Sequence, residues 1–115
     1  MRREVLYLRD IVAAAEATTR FLEGVDREGF LADELRQSAI LQKLIVIGEA
    51  AAHLSPAFRE QHCEVEWRDV IGFRNLAVHV YFAVSWEIVW ITATDDVPML
   101  RDIVLGILAQ EYADE

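Results

Sequence analysis

The chain has 115 residues, 54% of them hydrophobic, with 20 acidic against 11 basic side chains and a single cysteine. That length fits one compact domain, and the formal charge of -9 argues against broad, sequence-independent binding to nucleic acid. The lone Cys63 leaves no disulfide framework and no cysteine-based zinc site, as expected of a protein in a reducing cytoplasm.

Segment 4–22 carries Val5, Leu8, Val12, Ala15 and Leu22, mostly three or four apart, which places them along one face of a first helix. Gly24 supplies its stop. The polar run Val25-Asp26-Arg27-Glu28-Gly29 reads as a turn, after which Asp33 caps a second helix reaching about His53. This helix is apolar around most of its circumference and is expected at the centre of the fold. Ser55-Pro56 pairs an N-cap with a proline at the first helical position, giving a short helix over 56–62.

A fourth helix is predicted from about Glu66 to Phe82, and Ser85 is placed to cap the stretch from Trp86 to Thr94. Asp95-Asp96-Val97-Pro98 reads as another cap-and-proline start, opening a last helix from 98 to about 111. No segment has the alternating pattern of a strand. The expected fold is all-α: an antiparallel bundle of four to five helices plus a short one, forming one domain over 1–115. No apolar stretch approaches the ~20 residues of a membrane span, and the N-terminus has no clean apolar signal core, so the chain reads as cytoplasmic. The high apolar content for so short a chain points to a partner surface, most simply a second copy.

The oddest pattern lies in the helix predicted over 66–82. At 100° per residue, Trp67, Val70, Ile71, Arg74, Val78 and Tyr81 share one stripe, which sets the cation Arg74 in an apolar row. An arginine there needs an anionic partner, such as Glu49 or Glu87, or an open cavity. Arg68, Gly72, Asn75 and His79 form a second, polar stripe whose glycine gap would admit a ligand or a helix. A purely structural reading makes Arg74 a salt-bridge partner and Asn75 and His79 inter-helix hydrogen bonders. His53 and His62, nine apart and without a carboxylate triad, read as surface or helix-end histidines, and no metal site is expected. Cys63 reads as an inert, partly covered thiol.

The string Arg74-Asn75-Leu76-Ala77-Val78-His79-Val80-Tyr81 resembles the R-x4-H-x-Y signature of the HepT-like branch of the HEPN ribonuclease toxins. The likeness extends to Gly48-Glu49-Ala50, to Trp67 seven residues before Arg74, and to Asp96-Val97-Pro98-Met99-Leu100. It is strongest from 44 to 105 and departs in the connection holding Cys63-Glu64-Val65-Glu66. The resemblance implies an all-helical HEPN-like homodimer acting as a metal-independent endoribonuclease, the toxin of a toxin–antitoxin pair, with no cofactor. It implies that a small nucleotidyltransferase antitoxin silences it by adding AMP to Tyr81, that Arg74 and His79 are the catalytic pair, and that Asn75 is a supporting polar group. A non-catalytic binding or scaffold subunit of a nucleotidyltransferase complex would keep the same motif.

The residue types suit that chemistry. RNA brings its own nucleophile, the 2′-OH, so cleavage needs a proton carrier near neutral pH, which histidine provides, and a fixed cation for the crowded phosphorane, which arginine provides. Five residues along an ideal helix turn through about 500°, so Arg74 and His79 leave it about 140° apart. Either the helix is distorted there, or a second subunit completes the site. Tyr81 returns to within about 20° of Arg74, where an attached AMP would bring a phosphate to the guanidinium.

Overall fold

A computed structural model describes residues 2–76 and 86–114. Its elements are α1 (Arg2–Phe21), α2 (Arg27–Leu31), α3 (Glu34–His53), α4 (Pro56–Gln61), α5 (Trp67–Gly72), a 3-10 turn (Phe73–Asn75), α6 (Trp86–Ile91), a π turn (Thr92–Asp96) and α7 (Val97–Glu111). The architecture is all-α, with no strand among the described residues.

α1 packs against α3 and α7, and α3 also meets α2, α5, the 3-10 turn and α6, so the most evenly apolar helix is the hub of the bundle. The core runs from Leu8, Ile11 and Ala15 through Ile40, Leu44 and Ile47 to Val89, Val97 and Val104. The predicted face of α1 is buried at Val5, Leu8 and Ala15, while Val12 and Leu22 are half-buried. Each buried side chain of this size is worth about 1.5–3 kcal/mol relative to exposure.

The caps hold where local chemistry dictates them. Asp33 accepts the Arg36 backbone N–H at 3.1 Å at the start of α3, and Ser55 Oγ accepts that of Phe58 at 3.1 Å at the start of α4. Hydrogen bonds from the Arg36 side chain and backbone hold the Asp33 carboxyl below its ordinary range. Gly24, at φ 72°, makes the left-handed stop after α1.

Two boundaries differ from expectation. The run read as a polar turn forms α2: Asp26 caps it by accepting the Gly29 N–H at 2.8 Å, and Phe30 is fully buried. The buried Gln37 then donates to the carbonyls of Phe30 at 3.1 Å and Leu31 at 3.0 Å, which satisfies the end of this short helix.

The second difference is at the start of α7: Val97–Glu111 matches the span expected from 98 to about 111, with Pro98 in its first turn, but no acidic side chain caps it. Asp96 has helical dihedrals and no side-chain cap bond, and α6 runs through the π turn into α7. Proline has no N–H and crowds the carbonyl four residues back. The π turn, in which Val97 N–H reaches back five residues to Thr92 O, widens the helix just where that conflict falls. The part of the predicted fourth helix beyond residue 76, and the proposed cap Ser85, lie outside the described residues.

Candidate functional site

Helix α5 starts at Trp67, whose buried indole donates Nε1–H to the His62 carbonyl at 2.9 Å and so ties the helix to the preceding connection. At Phe73 the helix tightens: Phe73 N–H reaches Val70 O and Leu76 N–H reaches Phe73 O, each three residues back. In a 3-10 turn, residues three apart eclipse. The turn carries on, at Phe73, the buried row that α5 begins with Trp67 and Val70.

This corrects the projection that set Arg74 among the apolar residues. Phe73 occupies the inward position, and the Arg74 side chain is 42% exposed. Its Nη1 stands 3.5 Å from Glu49 Oε1 on α3. Of the two carboxylates proposed as partners, Glu87 is instead 2.6 Å from Arg27, linking α6 to α2. A long, exposed pair of the Arg74–Glu49 kind contributes about 0–1 kcal/mol, so the guanidinium retains donors for another anion.

What fixes the turn is backbone contact. A Cβ added at Gly48 would stand 2.6 Å from the Arg74 nitrogen, 3.1 Å from the Ile71 oxygen and 3.2 Å from Arg74 Cβ. Only glycine lets α3 approach so closely. Gly48 and Glu49 therefore act on Arg74 from one spot, the first by packing and the second by charge. The sequence marked Gly48-Glu49-Ala50 as part of the family likeness and Glu49 as one of two possible partners, but gave Gly48 no packing role; a glycine inside an otherwise excellent helix was the available signal.

The described part of the second stripe, from Arg68 to Asn75, faces outward. Arg68 and Asn75 are exposed, and a Cβ at Gly72 would meet nothing within 4 Å. Arg68, Arg74 and Asn75 thus lie on one accessible stretch of chain. His79 and Tyr81 lie outside the described residues, as do Val78 and the geometry of the Arg74–His79 pair. A 3-10 turn occupies Phe73–Asn75, while the stretch that would decide between a distorted helix and a composite two-fold site lies outside the described residues.

The other histidines separate. His53 is exposed at the end of α3, with Nδ1 2.8 Å from the Glu49 carbonyl. His62 ends α4 but is buried rather than superficial: it packs on Phe58 at 4.5 Å between ring centroids. Its Nε2 lies 3.0 Å from Glu111 Oε2, without hydrogen-bond alignment. The other ring nitrogen, Nδ1, lies 3.9 Å from Glu64 Oε2, so the ring sits between Phe58 and two carboxylates. Cys63, expected to be partly covered, is exposed. Among the described residues, no three histidine, cysteine or acidic side chains gather as a metal would require, and no helix is long and apolar enough to cross a membrane.

The profile of the ribonuclease HepT-like family matches residues 11–107. The chain belongs to that family. It is 34% identical over 105 residues to "Putative RNase TTE0752" of Caldanaerobacter subterraneus subsp. tengcongensis, covering 91% of this chain and 94% of that protein. It is 35% identical over 95 residues to "Probable ribonuclease HepT" of Thermococcus cleftensis, covering 83% and 86% of the two chains. A third relative, "Putative RNase MJ1380" of Methanocaldococcus jannaschii, is 30% identical over 95 residues, 83% of this chain and 87% of that one. No solved structure matches significantly. The matched span includes the 3-10 turn, Gly48 and the whole R-x4-H-x-Y string.

Proposed function

We propose that this HepT-like chain is a metal-independent endoribonuclease, the toxin of a toxin–antitoxin pair, with Arg74 and His79 as its catalytic groups. The observation that carries this reading is the placement of Arg74. It is an exposed cation on a turn fixed by backbone contact with Gly48, and among the described residues it is held by one long ion pair.

The 2′-oxygen attacks the adjacent phosphorus as its proton leaves, the bond to the 5′-oxygen breaks, and that oxygen takes up a proton. The products are a 2′,3′-cyclic phosphate and a 5′-hydroxyl. His79 moves protons in this scheme, while the planar Arg74 fork binds the phosphoryl oxygens as charge builds on them. Asn75, exposed beside Arg74, is a supporting donor. The active form is a homodimer whose two-fold interface brings two copies of the motif together. A partner nucleotidyltransferase silences it by AMP transfer to Tyr81, which adds bulk and negative charge to the motif.

The test is cleavage of total cellular RNA by the purified protein in excess chelator, with His79→Ala compared at matched folded fraction. Wild type alone should cut and leave cyclic phosphate ends. Absence of cutting by unmodified wild type would overturn the nuclease reading in favour of a scaffold, and equal cutting by both proteins would overturn the assignment of His79.

A further inference from the structure

On the flank of α5, the connection before it and helix α7 enclose a groove of about 230 Å³. Its floor is apolar, formed by Val70, Phe73, Leu100 and Ile103, and Met99 stands at its edge, 66% exposed. Four carboxylates, Glu64, Glu66, Asp69 and Asp96, complete the lining, and no basic side chain contributes to it among the described residues. These two features select the occupant together. The floor calls for apolar side chains, and the rim calls for positive charge beside them.

The volume is smaller than the ~300 Å³ at which pockets for drug-sized ligands begin. It suits one or two anchoring side chains presented by a larger molecule. An RNA backbone is excluded by the rim, since phosphates would face four like charges. We infer that this groove docks a basic amphipathic segment of a partner protein, its apolar side chains on Phe73 and Leu100 and its lysines or arginines against Asp69 and Asp96.

The rim carries an electrostatic load that such a segment would relieve. Burial first, and then the neighbouring charges of Asp95 and Asp69, push the Asp96 carboxyl above its ordinary value. A second copy of this chain is a poorer match at this acidic rim, because its own net charge is -9. The groove also shares Phe73 with the 3-10 turn, so an occupant would rest on the residue next to Arg74.

The probe is a fluorescein-labelled amphipathic peptide of leucine, lysine and arginine, read by fluorescence anisotropy on the full chain. Its counterpart with glutamate in place of the basic residues serves as control. The basic peptide should bind and the acidic one should not. Asp69→Asn with Asp96→Asn should weaken binding about tenfold, and Met99→Ala should weaken it severalfold with no change in charge. Glu16→Gln with Glu34→Gln removes the same charge from exposed sites elsewhere and should leave affinity within about twofold. All five substituted positions are exposed, so the fold tolerates them. Equal weakening by the two double variants would show generic attraction and overturn the proposal. So would failure of the basic peptide to bind, or conversion of a dimer to a monomer by Met99→Glu in sedimentation, which would assign the groove to a second copy.

Discussion

Phe73 and Arg74 are consecutive residues of one 3-10 turn, yet they serve surfaces of opposite character. Phe73 closes an apolar groove with an acidic rim, whereas Arg74 stands exposed against α3 with, among the described residues, a single distant carboxylate. A regular helix advances about 100° per residue and the tighter turn about 120°, so the tightening sharpens the separation of the two side chains. The same backbone contact at Gly48 fixes both. The contrast teaches that the charge of this protein is sorted locally: an overall acidic chain keeps a loosely held cation on one side of α5 and gathers carboxylates on the other.

The strongest way to break the contrast is to disturb the turn. Gly48→Ala drives a Cβ to 2.6 Å from the Arg74 backbone nitrogen, and overpacking of this kind costs about 1–3 kcal/mol. Urea unfolding should show that loss, with RNA cleavage per folded molecule falling as well. The loss would occur although alanine is the better helix former by about 1 kcal/mol. Gly106→Ala sharpens the point: a Cβ there meets nothing within 4 Å, so the same exchange in α7 should stabilise by about 0.5–1 kcal/mol. If the two substitutions shifted the urea midpoint in the same direction, the close approach of α3 would not be what sets the turn.

The smallest expected effect is on the acidic side. Because the folded protein raises the Asp96 carboxyl above its ordinary 3.8, the folded state binds that proton more tightly than the unfolded chain. The corresponding stability is present below about the ordinary carboxylate value and is lost as pH rises through the raised one. Asp96→Asn removes this penalty. Thermal melts should show a slight gain for the variant near neutral pH that disappears toward pH 3, whereas a gain at acid pH alone would contradict the assigned direction.

Much of the fold was readable where local chemistry decides. Asp33 and Ser55-Pro56 announce their helices because a side-chain oxygen and a preset φ act within one turn. The segment over 26–29 misled because its polar residues resemble a turn, although Asp26 caps a helix there and Phe30 buries it against the bundle. Pro98 marked the start of the last helix correctly, but the acidic cap before it misled: Asp96 makes no cap bond because α6 continues into α7 through a π turn that no local pattern encodes. The identity of Arg74 was legible from its motif, but its exposure was not. An ideal helical projection buries it, and it is the tertiary contact at Gly48, with the accompanying 3-10 twist, that turns Phe73 inward in its place.

The central claim is that Arg74 is presented for phosphate and is not a strut of the bundle. Arg74→Ala, measured in parallel for RNA cleavage in chelator and for unfolding free energy, separates the two directly. The account predicts a loss of about 10²–10³ in cleavage rate with stability changed by no more than about 0.5 kcal/mol. Full cleavage with a loss of stability of about 2 kcal/mol or more would contradict it, since a buried structural ion pair would then be the better description.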